Sequence, residues 1–283
     1  MKRKLFLKFV EAPYMKDIPC DMHTHSCFSH DGAKEATVDA LCLRAIELGL
    51  SELAITDHCD VESDAEKTGA GYDSEAAWQE MSTAKEKYRG KLNLVRGLEL
   101  GQAEQNPEYA AEVLRRHPYE FVIGSVHNLS NMTDFCNMKF ESISASLASR
   151  FFDRYLDEIE AIADHPITTI GHLTYQTRYM AMAGQSFDFA PHRDKIAAIL
   201  EKLISRDIAL EVNVSTIWRG LGFTMPQEEI LALYRDLGGK LITIGSDAHS
   251  PVNLGRGICE GLELLRSLGF DRVMTVRDRF LLL

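Results

Sequence analysis

Two imidazoles stand two residues apart in Asp21-Met22-His23-Thr24-His25. In an extended segment residues i and i+2 project from the same side, so both rings can be presented to one point. Imidazole is the commonest metal ligand, which makes a bound metal the first chemistry to consider. Further nitrogen and carboxylate donors stand at comparable places along the chain: Asp31, His58, Glu99, His127, His172, Asp247 and His249. One catalytic zinc takes about three protein ligands and keeps an open position, so this set is too large for one ion and large enough for two or three. A carboxylate such as Glu99 can bridge two ions where a neutral imidazole cannot. Ions about 3.5–4 Å apart share a water, lower its pKa toward ~7 and supply hydroxide at neutral pH, while the same ions bind the oxygens of a phosphate ester. Metal-assisted hydrolysis is the chemistry this set fits.

The elements that must position these donors repeat along the chain. A short strand after Pro19 runs through Met22 and delivers His23 and His25; Leu53-Ala54-Ile55-Thr56 delivers Asp57 and His58. The strand opening at Leu92 passes Gly97 to Glu99, and Phe121 to Val126 ends at His127. Ile167 to Gly171 delivers His172, Ile208 to Val212 delivers Asn213, and Leu241 to Gly245 delivers Ser246, Asp247 and His249. Between them the apolar spacing predicts helices from about Val38 to Gly49, Ser74 to Tyr88, Asn106 to Arg116, Ser142 to Ala163 and Arg193 to Ser205. Thr224 with Gln227 has the pattern of a capping box for the next helix, and Ser250-Pro251 that of the start of a last helix to about Leu268. Val61 to Tyr72 and Thr174 to Pro191 are expected to be loops, and the chain ends in a short Val273 to Thr275 segment and an apolar Phe280 to Leu283 tail. Parallel strands that all offer polar residues at their carboxyl ends are the layout of a (β/α) barrel; an open doubly wound sheet should gather them near one switch point.

Composition fits that reading. The chain has 283 residues, 45% of them hydrophobic, and a net charge of -11. That balance opposes a general nucleic-acid or membrane-surface binder, which needs a basic face. Met1 to Val10 is basic but too interrupted for a secretory core, and no run is long enough to span a bilayer, so a cytoplasmic location is expected. Cys20, Cys27, Cys42, Cys59, Cys136 and Cys259 form no C-x-x-C pair and read as reduced packing thiols, with a thiolate ligand at Cys27 or Cys59 as the alternative.

His23-Thr24-His25, Thr56-Asp57-His58, Gly97-Leu98-Glu99, Ser125-Val126-His127, Gly171-His172 and Ser246-Asp247-Ala248-His249 resemble the successive motifs of the PHP (polymerase and histidinol phosphatase) family, in order over nearly the whole chain. The resemblance implies an α/β fold, a distorted (β/α)7 TIM-like barrel in a single domain over residues 1–283, holding three divalent ions drawn from zinc, iron and manganese. It implies that His23, His25, Glu99 and Asp247 hold one ion, and that Glu99 bridges to a second held by His127 and His172. The third falls to His58, His249 and a residue of the turn after the first strand. Many members carry a histidine six positions after the second His of the pair; here Asp31 stands there, with His30 just before it. A carboxylate suits manganese or iron, so Asp31 is preferred and His30 kept as the alternative. Glu99, Asp247 and His249 are then the candidate catalytic residues, acting through metal-activated hydroxide.

Glu211-Val212-Asn213 with Ser215, and Gly171-His172-Leu173 leading to Arg178-Tyr179, look most like the histidinol-phosphate phosphatase branch. This implies hydrolysis of L-histidinol phosphate to L-histidinol and phosphate. Arg178 and Arg219 lie in loops after site-bearing strands, where either could grip phosphate or simply be solvated. Asn213 could bond substrate or hold a turn. His117, His165 and His192, each beside a proline, read as loop or helix-end residues. Two competing readings are a PHP phosphoesterase acting on another small phosphorylated metabolite or a nucleotide, and a metal-binding protein without catalysis; the nearly complete ligand set opposes the latter.

Overall fold

The computed structural model of the chain describes residues 19–62, 71–277 and 281–282. The Met1 to Val10 segment and most of the loop expected from Val61 to Tyr72 lie outside the described residues, as do Phe280 and Leu283 of the apolar tail.

Short apolar runs form the inner ring: β1 (Cys20–Asp21), β2 (Glu52–Ile55), β3 (His58–Asp60), β4 (Asn93–Gly101), β5 (Phe121–Ser125), β6 (Thr169–Ile170), β7 (Ala209–Asn213) and β8 (Ile242–Gly245). They are parallel and almost wholly buried, as strands covered on both faces must be. The order is β1-β2-β4-β5-β6-β7-β8, and β3 resumes the path of β2 beyond Thr56–Asp57 to pair with the outer half of β4, His58 opposite Glu99. The ring closes where the Met22 N–H donates to the Ile244 carbonyl at 2.9 Å, Asp247 to His23 at 2.8 Å and His25 to Ala248 at 2.8 Å. Gly245 makes that closure possible: a Cβ there would sit 2.3 Å from the Cβ of His23.

Around the ring lie α1 (Val38–Glu47), α2 (Ser74–Lys87), α3 (Pro107–Arg116), α4 (Ala145–Ile162), α5 (Gln176–Met182), α6 (Arg193–Ser205), α7 (Ser215–Trp218), α8 (Glu228–Asp236) and α9 (Ile258–Ser267). β9 (Arg272–Val273) and β10 (Leu281–Leu282) form a separate antiparallel pair. The barrel is the one expected from the sequence, and the α3 start is as read, with Asn106 Oδ1 accepting from the Tyr109 N–H and Pro107 in the first turn. No helix of the described residues is long and apolar enough to cross a membrane.

Three local expectations are corrected. Residues 174–191 are not irregular throughout, because α5 lies within them; its buried residues include Gln176, Thr177 and Arg178, which no apolar stripe announces. α8 starts at Glu228 instead of near Thr224: the Thr224 hydroxyl donates to the Pro226 carbonyl, and the Gln227 amide engages Thr174 and Thr177 instead of capping. Pro251 opens a single 3-10 turn to Asn253, and α9 waits until Ile258 because Gly255 and Gly257, both at positive φ, interrupt the path.

A carboxylate pair outside the ring gives a test of the fold. Glu104 stands beside Glu158 of α4, and its two carboxyl oxygens are buried. Burial, and then the charge of Glu158, push the Glu104 carboxyl from 4.5 up to about 8. An acid raised on folding contributes stability that is full below the unfolded value and is lost as pH rises through the folded one. Thermal unfolding of the wild-type chain is therefore expected to weaken from about pH 5 to 8.5 more steeply than that of Glu104→Gln. At pH 8.5 the variant should melt about 2–4 °C higher, roughly 1 kcal/mol. Both proteins share every other titrating group, so parallel Tm profiles would show that the pair holds no proton.

Candidate metal centre

Glu99, fully buried on β4, is the hub. Its Oε2 lies 3.1 Å from His23 Nε2, 3.4 Å from His25 Nε2 and 3.0 Å from His58 Nδ1. Its Oε1 lies 3.1 Å from His127 Nε2 and 2.8 Å from His172 Nε2, and accepts from the Ser125 hydroxyl at 2.6 Å. One carboxylate thus faces imidazoles from several strand ends, with one oxygen toward each group. Asp247 Oδ1 lies 3.5 Å from His25 Nε2 and 3.6 Å from His249 Nδ1. Asp31 reaches both His249 Nε2, at 3.0 Å, and His58 Nε2, at 3.7 Å, whereas the His30 ring centre is 5.2 Å from that of His58. All nine predicted donors therefore converge. Ligand atoms within 4.8 Å of one another group as His23, His25 and Asp247; as His25, His58 and His249; as His23, Glu99 and His172; and as His58, Glu99 and His127. The cluster is able to hold several metal ions.

A second ring of polar groups fixes the first. Glu211, buried in β7, places Oε1 2.6 Å from His23 Nδ1 and accepts from the His172 N–H through Oε2 at 2.5 Å. That bond holds His172 at φ +23, and Asp247 sits at φ +55, so both strand-end residues occupy a backbone region costly for side chains other than glycine. Asp60 stands 3.1 Å from His127 Nδ1. Asp57 accepts from the N–H and hydroxyl of Ser26 and the hydroxyl of Ser29, which orders the turn carrying Asp31. Such outer carboxylates orient imidazoles and raise their basicity.

Electrostatics follow from the same contacts. Burial alone would depress His23, but Glu211 and Glu99 hold it well above its ordinary value. Burial is likewise overcome at His127, by Glu99 and Asp60, and at His58, which Glu99 lifts to about 9. His25 goes the other way, well below its usual value, through burial and the neighbouring His249 and His58; burial also lowers His172. Despite burial, Glu99 is held well below the carboxylate range by His58, His23 and His127, and Asp247 by His25 and Arg178. Ionised carboxylates interleaved with imidazoles, and a buried His25 Nε2 without a hydrogen-bond partner among the described residues, are a donor set matched to divalent cations.

The cluster floors a cavity of about 300 Å³ whose walls include Tyr175, Tyr179, Arg178, Arg219, Asp134 and Cys136. Arg178 is buried, and its Nη2 donates to Asp247 Oδ2 at 2.7 Å and to Ser215 Oγ at 2.5 Å. Arg219 lies at the rim over the Trp218 ring, 4.4 Å from its centre. Asn213 is corrected: it does not line the cavity, and its Oδ1 is taken by the N–H and hydroxyl of Ser215, so it holds a turn. None of the six cysteines forms a disulfide among the described residues, and neither Cys27 nor Cys59 enters a ligand group there; burial pushes the Cys59 thiol up to about 12. His192 is bonded to Ser149 at 2.9 Å and His117 stacks on Trp78, both away from the cavity. Sequence reasoning missed Glu211, Asp60 and Asp57 as supports, and Tyr175 as a cavity wall.

A family model for the PHP domain matches residues 21–215. The chain is 30% identical over 251 residues to the probable histidinol-phosphatase of Thermotoga maritima, covering 89% of this chain and 93% of that one. It is 27% identical over 262 residues to the histidinol-phosphatase of Lactococcus lactis subsp. lactis, covering 90% and 93%. The crystal structure of histidinol phosphate phosphatase from Lactococcus lactis, complexed with zinc, L-histidinol and phosphate, matches with a TM-score of 0.75 at 25% identity, over 89% of this chain and 94% of that one. A putative histidinol phosphatase from Listeria monocytogenes shares the fold, with a TM-score of 0.74 at 22% identity over 85% and 99%.

Proposed function

This chain belongs to the PHP domain family, and from that premise we propose that it hydrolyses L-histidinol phosphate to L-histidinol and inorganic phosphate. The observation that carries the reading is the junction, in one cavity of about 300 Å³, of an imidazole–carboxylate cluster with an arginine pair. That volume suits a small phosphorylated metabolite. The chain's similarity to the two histidinol-phosphatases extends over about nine-tenths of its length and supports the choice among such substrates.

In this reading one domain spans the chain, and its residues divide among three ions. His23, His25 and Asp247 would hold one with Glu99; Glu99, His127 and His172 would hold the second; His58, His249 and Asp31 would hold the third, Asp31 taking precedence over His30 because its carboxylate reaches both histidines. Divalent ions so placed supply Lewis acidity toward a phosphoryl group and acidify water. Arg178 and Arg219 bind and orient the phosphate. Both side chains line the cavity, where guanidinium N–H groups suit the oxygens of a phosphate. Glu99, Asp247 and His249 serve the reaction as holders of the ions, and Tyr175 and Tyr179 exclude water from one wall.

Purified protein is expected to release phosphate from L-histidinol phosphate and to lose at least about a hundredfold of that rate after EDTA treatment, with recovery on adding zinc, manganese or ferrous ion. Turnover that survives complete chelation, or robust hydrolysis of unrelated monoesters with none of L-histidinol phosphate, would overturn the assignment.

A further inference from the structure

We propose that Trp218 is a positioning residue for substrate binding: its indole holds the Arg219 guanidinium at the cavity rim, beside Arg178, where the phosphate of the substrate must enter. The proposal rests on the phosphatase reading above. Arg219 forms no ion pair with a carboxylate among the described residues. It shares the cavity with Arg178, a like charge that disfavours its staying close. A long side chain in that position would swing into solvent unless something other than a carboxylate retained it, and a carboxylate would compete with the phosphate for the same N–H groups. An aromatic face meets both demands, since it attracts the cation while leaving the edge of the guanidinium free.

The indole is itself fixed. Its Nε1–H donates to the Ser246 carbonyl at 2.9 Å, and Ser246 is anchored in turn by Asp21, which accepts from the Ser246 N–H at 2.9 Å and its hydroxyl at 2.5 Å. Ser246 directly precedes Asp247, so the platform for Arg219 is referenced to the same loop that delivers a metal-centre carboxylate. The α7 turn that carries Trp218 is set by Asn213 through Ser215. This accounts for an asparagine in β7 that looks like a site residue and does not enter the site.

The test compares Trp218→Leu, Trp218→Phe and Arg219→Ala in metal-loaded enzyme. Trp218→Leu is expected to raise the KM for L-histidinol phosphate and the inhibition constant of inorganic phosphate together, by about fivefold, with kcat within about twofold; Trp218→Phe, which keeps a π face, should recover most of the loss. The chain has two tryptophans, so in a Trp78→Phe background Trp218 is the sole indole, and its emission should change as inorganic phosphate saturates the site. With Arg219→Ala added, that change should vanish. Unaltered constants in Trp218→Leu alongside weakened binding in Arg219→Ala would overturn the role of Trp218 and leave the phosphatase reading standing. Unaltered constants in both variants would overturn the rim arginine as a phosphate group altogether. If Trp218→Leu does not fold, the fluorescence titration decides, and an emission indifferent to phosphate sinks the proposal.

Discussion

Replacing Glu99 by glutamine is expected to remove at least one metal ion per chain and to lower kcat/KM by about a thousandfold or more. The side chain keeps its shape, so the loss measures charge and donor character alone. In the wild type one oxygen faces His23, His25 and His58 and the other faces His127 and His172, all within 3.4 Å. A glutamine offers one acceptor and one N–H₂ donor. Its oxygen can serve only one of these groups, and its N–H₂ points a positive edge at nitrogens that must themselves be donors to a cation. The site also loses a buried negative charge that opposes the charge of the ions, in surroundings where electrostatic interactions are poorly screened. Removing one preorganised electrostatic group commonly costs about 10²–10³ in rate, and here ion binding is lost as well. Metal quantification on the purified variant, beside steady-state kinetics, checks this. A full complement of ions with activity within tenfold of wild type would remove Glu99 from its bridging role.

The sequence exposed the donors because a parallel barrel offers polar residues at strand ends, and a histidine or carboxylate after an apolar run is visible without a structure. It did not reveal direction. Asn213 stands at the end of β7 and His172 just beyond β6, yet one turns to Ser215 and the other to Glu99. The supports were hidden for a different reason. Glu211 pairs with residues far away in the chain, His23 and the His172 backbone, and only closure of the ring makes those contacts. Its signal was present nonetheless: a charge inside the run Ile208-Ala209-Leu210-Glu211-Val212 cannot be buried without partners. α5 escaped because the periodicity of apolar residues reports helices that bury oil, and this one buries Gln176, Thr177 and Arg178. Conversely, Ser250-Pro251 and Thr224-Gln227 had the local chemistry of helix starts, but Gly255 and Gly257 interrupt the path after the first, and Thr174 and Thr177 claim the Gln227 amide of the second.

Arg178→Ala is expected to lower kcat/KM by about 10²–10³ and to reduce metal retention, although none of its atoms belongs to the donor set. The guanidinium does two things at once. Through Nη2 it binds Asp247 Oδ2 at 2.7 Å, leaving Oδ1 turned toward His25 and His249. The side chain also lines the substrate cavity beside Arg219. Truncation would leave Asp247 buried with one oxygen unsatisfied, and breaking a buried pair in this way costs about 3–5 kcal/mol when it does not relax. A carboxylate so released would rotate or take up a proton, and either change withdraws Oδ1 from the ion. Arg178→Lys separates the two roles. An ammonium keeps a charge near Asp247 but cannot offer donors in a planar fork to Asp247, Ser215 and a phosphate oxygen together. Lysine should therefore restore metal content more than it restores the affinity for inorganic phosphate. Equal recovery of both, or none of either, would mean that Arg178 acts only through Asp247, and Arg219 would then be left as the sole arginine addressed to the phosphate.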